Sequence, residues 1–149
     1  MLTTTPLSEL LKLAAGPRRR VGLYFGAGWC PMCTSFEPQL AAFRQAVVVA
    51  EQSPIDLLYV SSDTDAAGAE QRAKAHDMQM VPPDVAAELK RRFRVWAGRE
   101  VAHFGADRRS GVPAIVVLDP AFEEVIFLNA EARGGKVFGD WPDDHLWGA

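Results

Sequence analysis

The stretch Tyr24-Phe25-Gly26-Ala27-Gly28-Trp29-Cys30-Pro31-Met32-Cys33 joins a run of β-forming residues to the start of a helix. Val21 to Phe25 is short, apolar and rich in β-formers, the pattern of a strand buried on both faces. Gly26 to Cys30 then reads as a turn. Pro31 fits the first turn of a helix, where its missing N–H is not needed. Beyond it Phe36, Leu40, Phe43, Val47 and Ala50 recur at spacings of four and three, which predicts a helix from about residue 31 to 51. Pro38 lies inside that span and is expected to kink it.

Both cysteines of the chain sit at this strand–helix junction, as Cys30-Pro31-Met32-Cys33. In open α/β sheets functional groups gather at the C-terminal ends of strands. A helix N-terminus offers unpaired N–H groups and a partial positive charge, and both stabilise a thiolate. Cysteines so placed have pKa values of about 3.5–7.5, against about 8.5 when free. The first cysteine is expected to be the more exposed nucleophile. The second, one turn inside, can then resolve a mixed disulfide, so Cys30 attacks and Cys33 resolves.

Three other readings are weaker. A stabilising staple fails on magnitude, because closing a four-residue loop removes little entropy from the unfolded chain. A zinc site needs four ligands, and His76, His103 and His145 do not stand at finger-like spacing from the cysteines. Two inert buried thiols fit poorly with a position at a strand end, between Trp29 and Pro31.

Outward from the junction the chain alternates helix and strand. Leu7, Leu10, Leu11 and Ala14 mark an amphipathic helix ended by Gly16-Pro17. Ile55 to Val60 reads as a second strand, and a helix over 66–76 could be capped by Asp63, Thr64 or Asp65. Met78 to Pro83 reads as a loop. Val85, Leu89, Phe93 and Trp96 form the next helix face, ending near Val95 or continuing to Phe104. Ala114 to Leu118 and Glu124 to Leu128 form a hairpin through Asp119-Pro120. The tail from Asn129 is legible only as a short helix near Pro142 to Trp147. The pattern predicts an α/β domain spanning 1–149, with a central mixed sheet, helices on both faces and a C-terminal β-hairpin.

The chain has 149 residues, a net charge of -3, 48% hydrophobic and 23% charged residues, values that suit one folded domain rather than a disordered chain. That charge argues against nucleic acid as a partner, and Arg18-Arg19-Arg20 and Lys90-Arg91-Arg92 read as solvated basic faces. No apolar run reaches the roughly 18 residues of a membrane span. The N-terminus lacks the layout of a signal peptide, so a cytoplasmic address is expected ahead of a mitochondrial one.

The quoted stretch resembles the active-site segment of the thioredoxin fold. Pro38 matches that family's active-site helix proline, and Gly111-Val112-Pro113 resembles its cis-proline loop. Within the superfamily the chain is most similar to tryparedoxins and nucleoredoxins. The residues that carry this are Trp29 to Cys33, Phe36-Glu37-Pro38-Gln39-Leu40, Val60-Ser61-Ser62-Asp63, Val81-Pro82 and Leu89 to Phe93, with a weaker likeness of Trp141 to a family tryptophan. Met32 departs from the second proline of tryparedoxins. Tyr24 stands where thioredoxins keep a buried acid, and Ser62 and Thr64 stand where tryparedoxins tend to have Trp and Glu.

The resemblance implies a thiol–disulfide oxidoreductase with catalytic Cys30, Cys33, Trp29, Pro31 and Pro113. Met32, Gly111 and Val112 would bind substrate, the Val112 backbone pairing with it like an added strand. No organic cofactor or metal is implied. Electrons would come from a small dithiol such as trypanothione, or from a reductase, and pass to oxidised protein disulfides such as those of a peroxiredoxin-type peroxidase. The alternative is a nucleoredoxin-like binding module that changes partners on oxidation without turnover. Trp96 to Ser110 is longer than the family's usual link to the cis-proline, and is expected to form a surface of its own near the site.

Overall fold

The computed structural model describes residues 21–51, 56–119 and 121–141. The helix expected near the N-terminus, Ile55, Pro120 and the short helix expected near Pro142 to Trp147 lie outside the described residues.

Five strands form one mixed sheet in the order β3-β2-β1-β4-β5. They are β1 (Val21–Gly26), β2 (Asp56–Ser61), β3 (Gln79–Met80), β4 (Ala114–Leu118) and β5 (Glu124–Leu128). β1 pairs in parallel with β2 and antiparallel with β4, and β4 pairs antiparallel with β5. All residues of β1 and β4 are buried, which is why both read as unbroken apolar runs.

Side chains alternate across the sheet and build two cores. On one face Leu23 and Phe25 of β1, Leu58 and Val60 of β2, and Val116 and Leu118 of β4 meet Val85, Leu89 and Phe93 of helix α3 (Pro83–Phe93). On the other face Tyr24, Leu57, Tyr59, Ile115 and Val117 meet Phe36, Leu40 and Val47 of helix α1 (Pro31–Glu51) and Ala69 and Ala73 of helix α2 (Ala66–Ala75). α1 runs without interruption through Pro38. The protein thus has the thioredoxin fold, with helices on both faces and the expected hairpin.

Several expectations need correction. Met78 to Pro83 is not all loop: Gln79 and Met80 add a two-residue edge strand, paired in parallel with Leu58 and Tyr59. Helix α3 ends at Phe93, so the continuation to Phe104 does not form. Arg94 adopts the left-handed conformation (φ 59°) and its N–H bonds the Lys90 carbonyl, a helix stop made without glycine. Trp96 therefore lies beyond the helix, yet it is buried. Asp65 is the residue that caps α2, accepting the Gly68 N–H at 2.6 Å. Residues 98–104 form a short 3₁₀ turn and helix α4 (Val101–Phe104). After β5 the chain makes helix α5 (Ala130–Arg133) and a 3₁₀ segment over Gly134–Asp140. Phe138 and Trp141 then pack on Phe43 of α1.

Leu89 is fully buried where α3 meets the sheet. Leu89→Ala is expected to lower stability by about 2–5 kcal/mol. The urea midpoint checks this, and an unchanged midpoint would contradict the packing described.

Candidate active site

Strand β1 ends at Gly26, and Ala27 to Cys30 turn the chain into α1. The Cys30 N–H bonds the Ala27 carbonyl (3.3 Å), and the Cys30 carbonyl accepts the Thr34 N–H (3.0 Å), which starts the helix. The Cys30 Sγ accepts the backbone N–H of Cys33 at 3.3 Å. A cysteine sulfur therefore occupies the place usually taken by a serine or aspartate oxygen in an N-cap. It lies where the helix field favours negative charge.

Both cysteines are free thiols. Cys30 is 7% exposed and Cys33 0%, so an incoming sulfur reaches Cys30 first. Burial pushes the Cys33 thiol above its ordinary range, and the hydrogen bond with Cys30 adds to this; the nearby Ala27 backbone pulls the other way, and the negative charge of Glu37 raises it further. Cys33 is thus a protonated thiol at neutral pH, placed behind the sulfur it would attack.

The Val112–Pro113 bond is cis, and the loop that contains it lies against Cys30. The Val112 carbonyl accepts from the Cys30 Sγ at 3.9 Å. Gly111 is held by the Glu131 carboxylate of α5, which accepts its N–H at 2.9 Å. A Cβ on Gly111 would meet the ends of the Glu131 and Arg108 side chains, which would have to swing aside, so glycine here leaves both in place against the loop. Pro31 and the exposed Met32 border a cavity of about 320 Å³ shared with Phe36, Gln39 and Glu131. The structure thus brings Cys30, Cys33, Gly111, Val112 and Pro113 together, with Pro31 and Met32 on one flank.

Trp29 is on the other flank. It is not a core residue: it is 39% exposed, and its indole N–H donates to the Ser62 carbonyl at 2.8 Å. Ser62 Oγ donates to Glu100 at 2.6 Å, and Glu100 also pairs with the buried Lys90 at 2.6 Å. The long segment after α3 therefore does border the site. Its two ends are tied by a bridge between Val95 and Ser110, and Trp96 closes it inside by donating its indole N–H to the Gly105 carbonyl.

Beneath the turn lies a polar network that the sequence reading missed. Glu37, one turn after Cys33 on α1, is 3% exposed. Its carboxylate accepts from the Tyr24 hydroxyl (2.7 Å) and from Arg72, and it faces His76 Nε2 at 3.3 Å. Arg72 also reaches the Tyr59 hydroxyl, which donates to Asp63; Asp63 in turn accepts the Gly28 N–H at 2.5 Å. Burial raises the Tyr24 hydroxyl, and the Glu37 charge raises it further, so Tyr24 stays a neutral donor. Burial alone would lower the Arg72 guanidinium, but the hydrogen bonds and charges of Tyr59 and Glu37 prevail and raise it. The available signal was a lone acid beside Phe36 on a helix face that otherwise reads apolar.

Among the described residues no group of three or more His, Cys, Asp or Glu side chains could hold a metal ion, and no helix is long and apolar enough to cross a membrane.

A family model described as thioredoxin-like matches residues 18–124. No curated protein matches the chain. Tryparedoxin II from C. fasciculata is similar in structure (TM-score 0.60, 22% identity, 85% of this chain and 73% of that one). So is tryparedoxin I from Leishmania major (TM-score 0.57, 19% identity, 84% and 81%). Thioredoxin from Wuchereria bancrofti is a third (TM-score 0.58, 21% identity, 86% and 83%). At these identities the likeness shows the fold alone.

The raised Cys33 thiol makes reduced-state stability depend on pH. Its folded value lies above the ordinary 9.0, so on raising the pH the unfolded chain loses its proton first. The stabilisation is complete below about pH 9 and is lost as the pH rises toward the folded value. The urea midpoint of the reduced protein is expected to fall more steeply above about pH 9 than that of Cys33→Ser. Equal slopes would contradict the assignment.

Proposed function

Since the chain belongs to the thioredoxin-like family, we propose that it is a dithiol–disulfide oxidoreductase of tryparedoxin type. The observation that carries this is the Cys30 sulfur, which caps α1, accepts the Cys33 N–H and touches the Val112 carbonyl. A redox reaction at this sulfur needs no bound cofactor, because the two thiols themselves hold the electron pair.

The Cys30 thiolate attacks a disulfide of the target. The target S–S bond breaks, a Cys30–target disulfide forms, and one target sulfur leaves and takes up a proton. Cys33 then gives up its proton and attacks the Cys30 sulfur. The Cys30–Cys33 disulfide forms, and the second target sulfur leaves as a thiol. Two electrons have passed from this protein to the target. A small dithiol or a reductase restores the dithiol by the reverse sequence.

Pro31 sets the helix start, and Trp29 walls one flank of the attacking sulfur. Pro113, with Gly111 and Val112, offers backbone to the polypeptide around the target disulfide, and Met32 lines its path. Oxidised proteins such as peroxidases are the proposed targets, with trypanothione, glutathione or a reductase as donor.

Cys33→Ser is expected to accumulate a mixed disulfide with an oxidised protein substrate, seen as an adduct by mass spectrometry; Cys30→Ser is expected to form none. Wild type should cycle many times with trypanothione, glutathione, or thioredoxin reductase and NADPH. A single stoichiometric reaction with no cycling under any donor would favour the redox-switched binding module instead.

A further inference from the structure

The lobe after α3 presents Arg99 to the site. Its guanidinium lies over the Trp29 ring, 4.6 Å from the centroid. Arg99 is exposed, and among the described residues no carboxylate stands within ion-pair distance of it. A guanidinium on an indole face keeps N–H edges available for a carboxylate, which it binds better than an ammonium would.

The acids nearby are already engaged. Glu100 holds Lys90, Ser62 and the Ala97 N–H. Asp63 holds the Gly28 N–H and the Tyr59 and Ser61 hydroxyls. Glu131 holds the Gly111 N–H, with Arg108 bordering the same glycine. Asp65 caps α2. Arg99 is thus an exposed charge over Trp29 with no carboxylate partner among the described residues, and Glu100, the next residue, fixes the backbone that carries it.

We propose that Arg99 is a specificity-determining residue that favours carboxylate-bearing thiols, of the glutathione kind, over cationic thiols as reductants of the Cys30–Cys33 disulfide. This rests on the oxidoreductase reading and names its donor class. In the step concerned, the donor thiolate attacks the Cys30 sulfur. The Cys30–Cys33 bond breaks, and Cys33 leaves and takes a proton. A second donor thiol, losing its proton, attacks the donor sulfur of the mixed disulfide, and Cys30 is released. Two donor thiols are oxidised to one disulfide as the protein gains two electrons. A carboxylate a few bonds from the donor sulfur comes within reach of Arg99 as that sulfur passes Trp29.

The test measures reduction of the oxidised protein, by stopped flow, with 3-mercaptopropionate, 2-mercaptoethanol and cysteamine, which are anionic, neutral and cationic. Taking the anion-to-cation rate ratio relative to wild type cancels the intrinsic reactivity of each thiol. Arg99→Gln is expected to lower that ratio by about threefold and Arg99→Glu by about tenfold, the effect of one and two unit charges several ångströms away in water. High salt should shrink the difference between variants. Lys74→Gln, an equal charge change at an exposed site on α2, should leave the ratio unchanged.

Glutathione should rank with mercaptopropionate. An unchanged ratio in both Arg99 variants, or an equal change in Lys74→Gln, overturns the proposal while leaving the oxidoreductase reading intact. Failure of every thiol to reduce the wild type overturns both.

Discussion

Strand β1 has neither a free edge nor a free face. β2 and β4 take up its two rows of backbone hydrogen bonds, and all six of its residues are buried between the two cores. Its backbone has little room to shift. The chain leaves it through one short turn, and Cys30, at the far end of that turn, inherits the position of the strand end. The sulfur is placed by a strand held on both edges and both faces, and it stands at the start of the helix that begins there.

The other groups of the site are brought to that point from distant parts of the chain. Val112 and Gly111 arrive because β4 lies against β1, with Ala114 beside Phe25. Asp63 arrives because β2 ends level with β1, Gly26 facing Ser61. Glu37 lies below, clamped by Tyr24 of β1 and by Arg72 and His76 from the end of α2. Glu37 is buried, so removing a partner would leave its buried acceptor oxygens short of a donor. The network ties α1, α2 and β1 together directly beneath the turn that carries Cys30.

The parts legible in sequence were those dictated by short-range rules. β1, the start of α1, the hairpin strands and the Cys30–Cys33 pair come from apolar runs, from a proline suited to a first helical turn, and from spacing. The edge strand β3 was missed because two residues carry no periodicity; it exists only because β2 offers it an open edge. The end of α3 was blurred because the stop is made by Arg94 in a left-handed conformation, where glycine is the usual sign. Glu37, Arg72 and His76 were missed for another reason: each is ordinary alone, and only the packing of α2 against α1 makes them a unit. The length of the Trp96 to Ser110 segment was visible, but its ion pair between Lys90 and Glu100 was not.

That segment leaves the scaffold and returns to it at almost the same place, where Val95 pairs with Ser110 and Arg109 bonds back to Arg94. Lengthening a loop whose ends are already held together costs little free energy, growing only with the logarithm of its size. The rim of the site can therefore be rewritten in length and charge while the sheet and the two sulfurs stay where they are. In this architecture the surface beside Trp29 and the placement of Cys30 and Cys33 are separable, and inherited changes in one need not be repaired in the other.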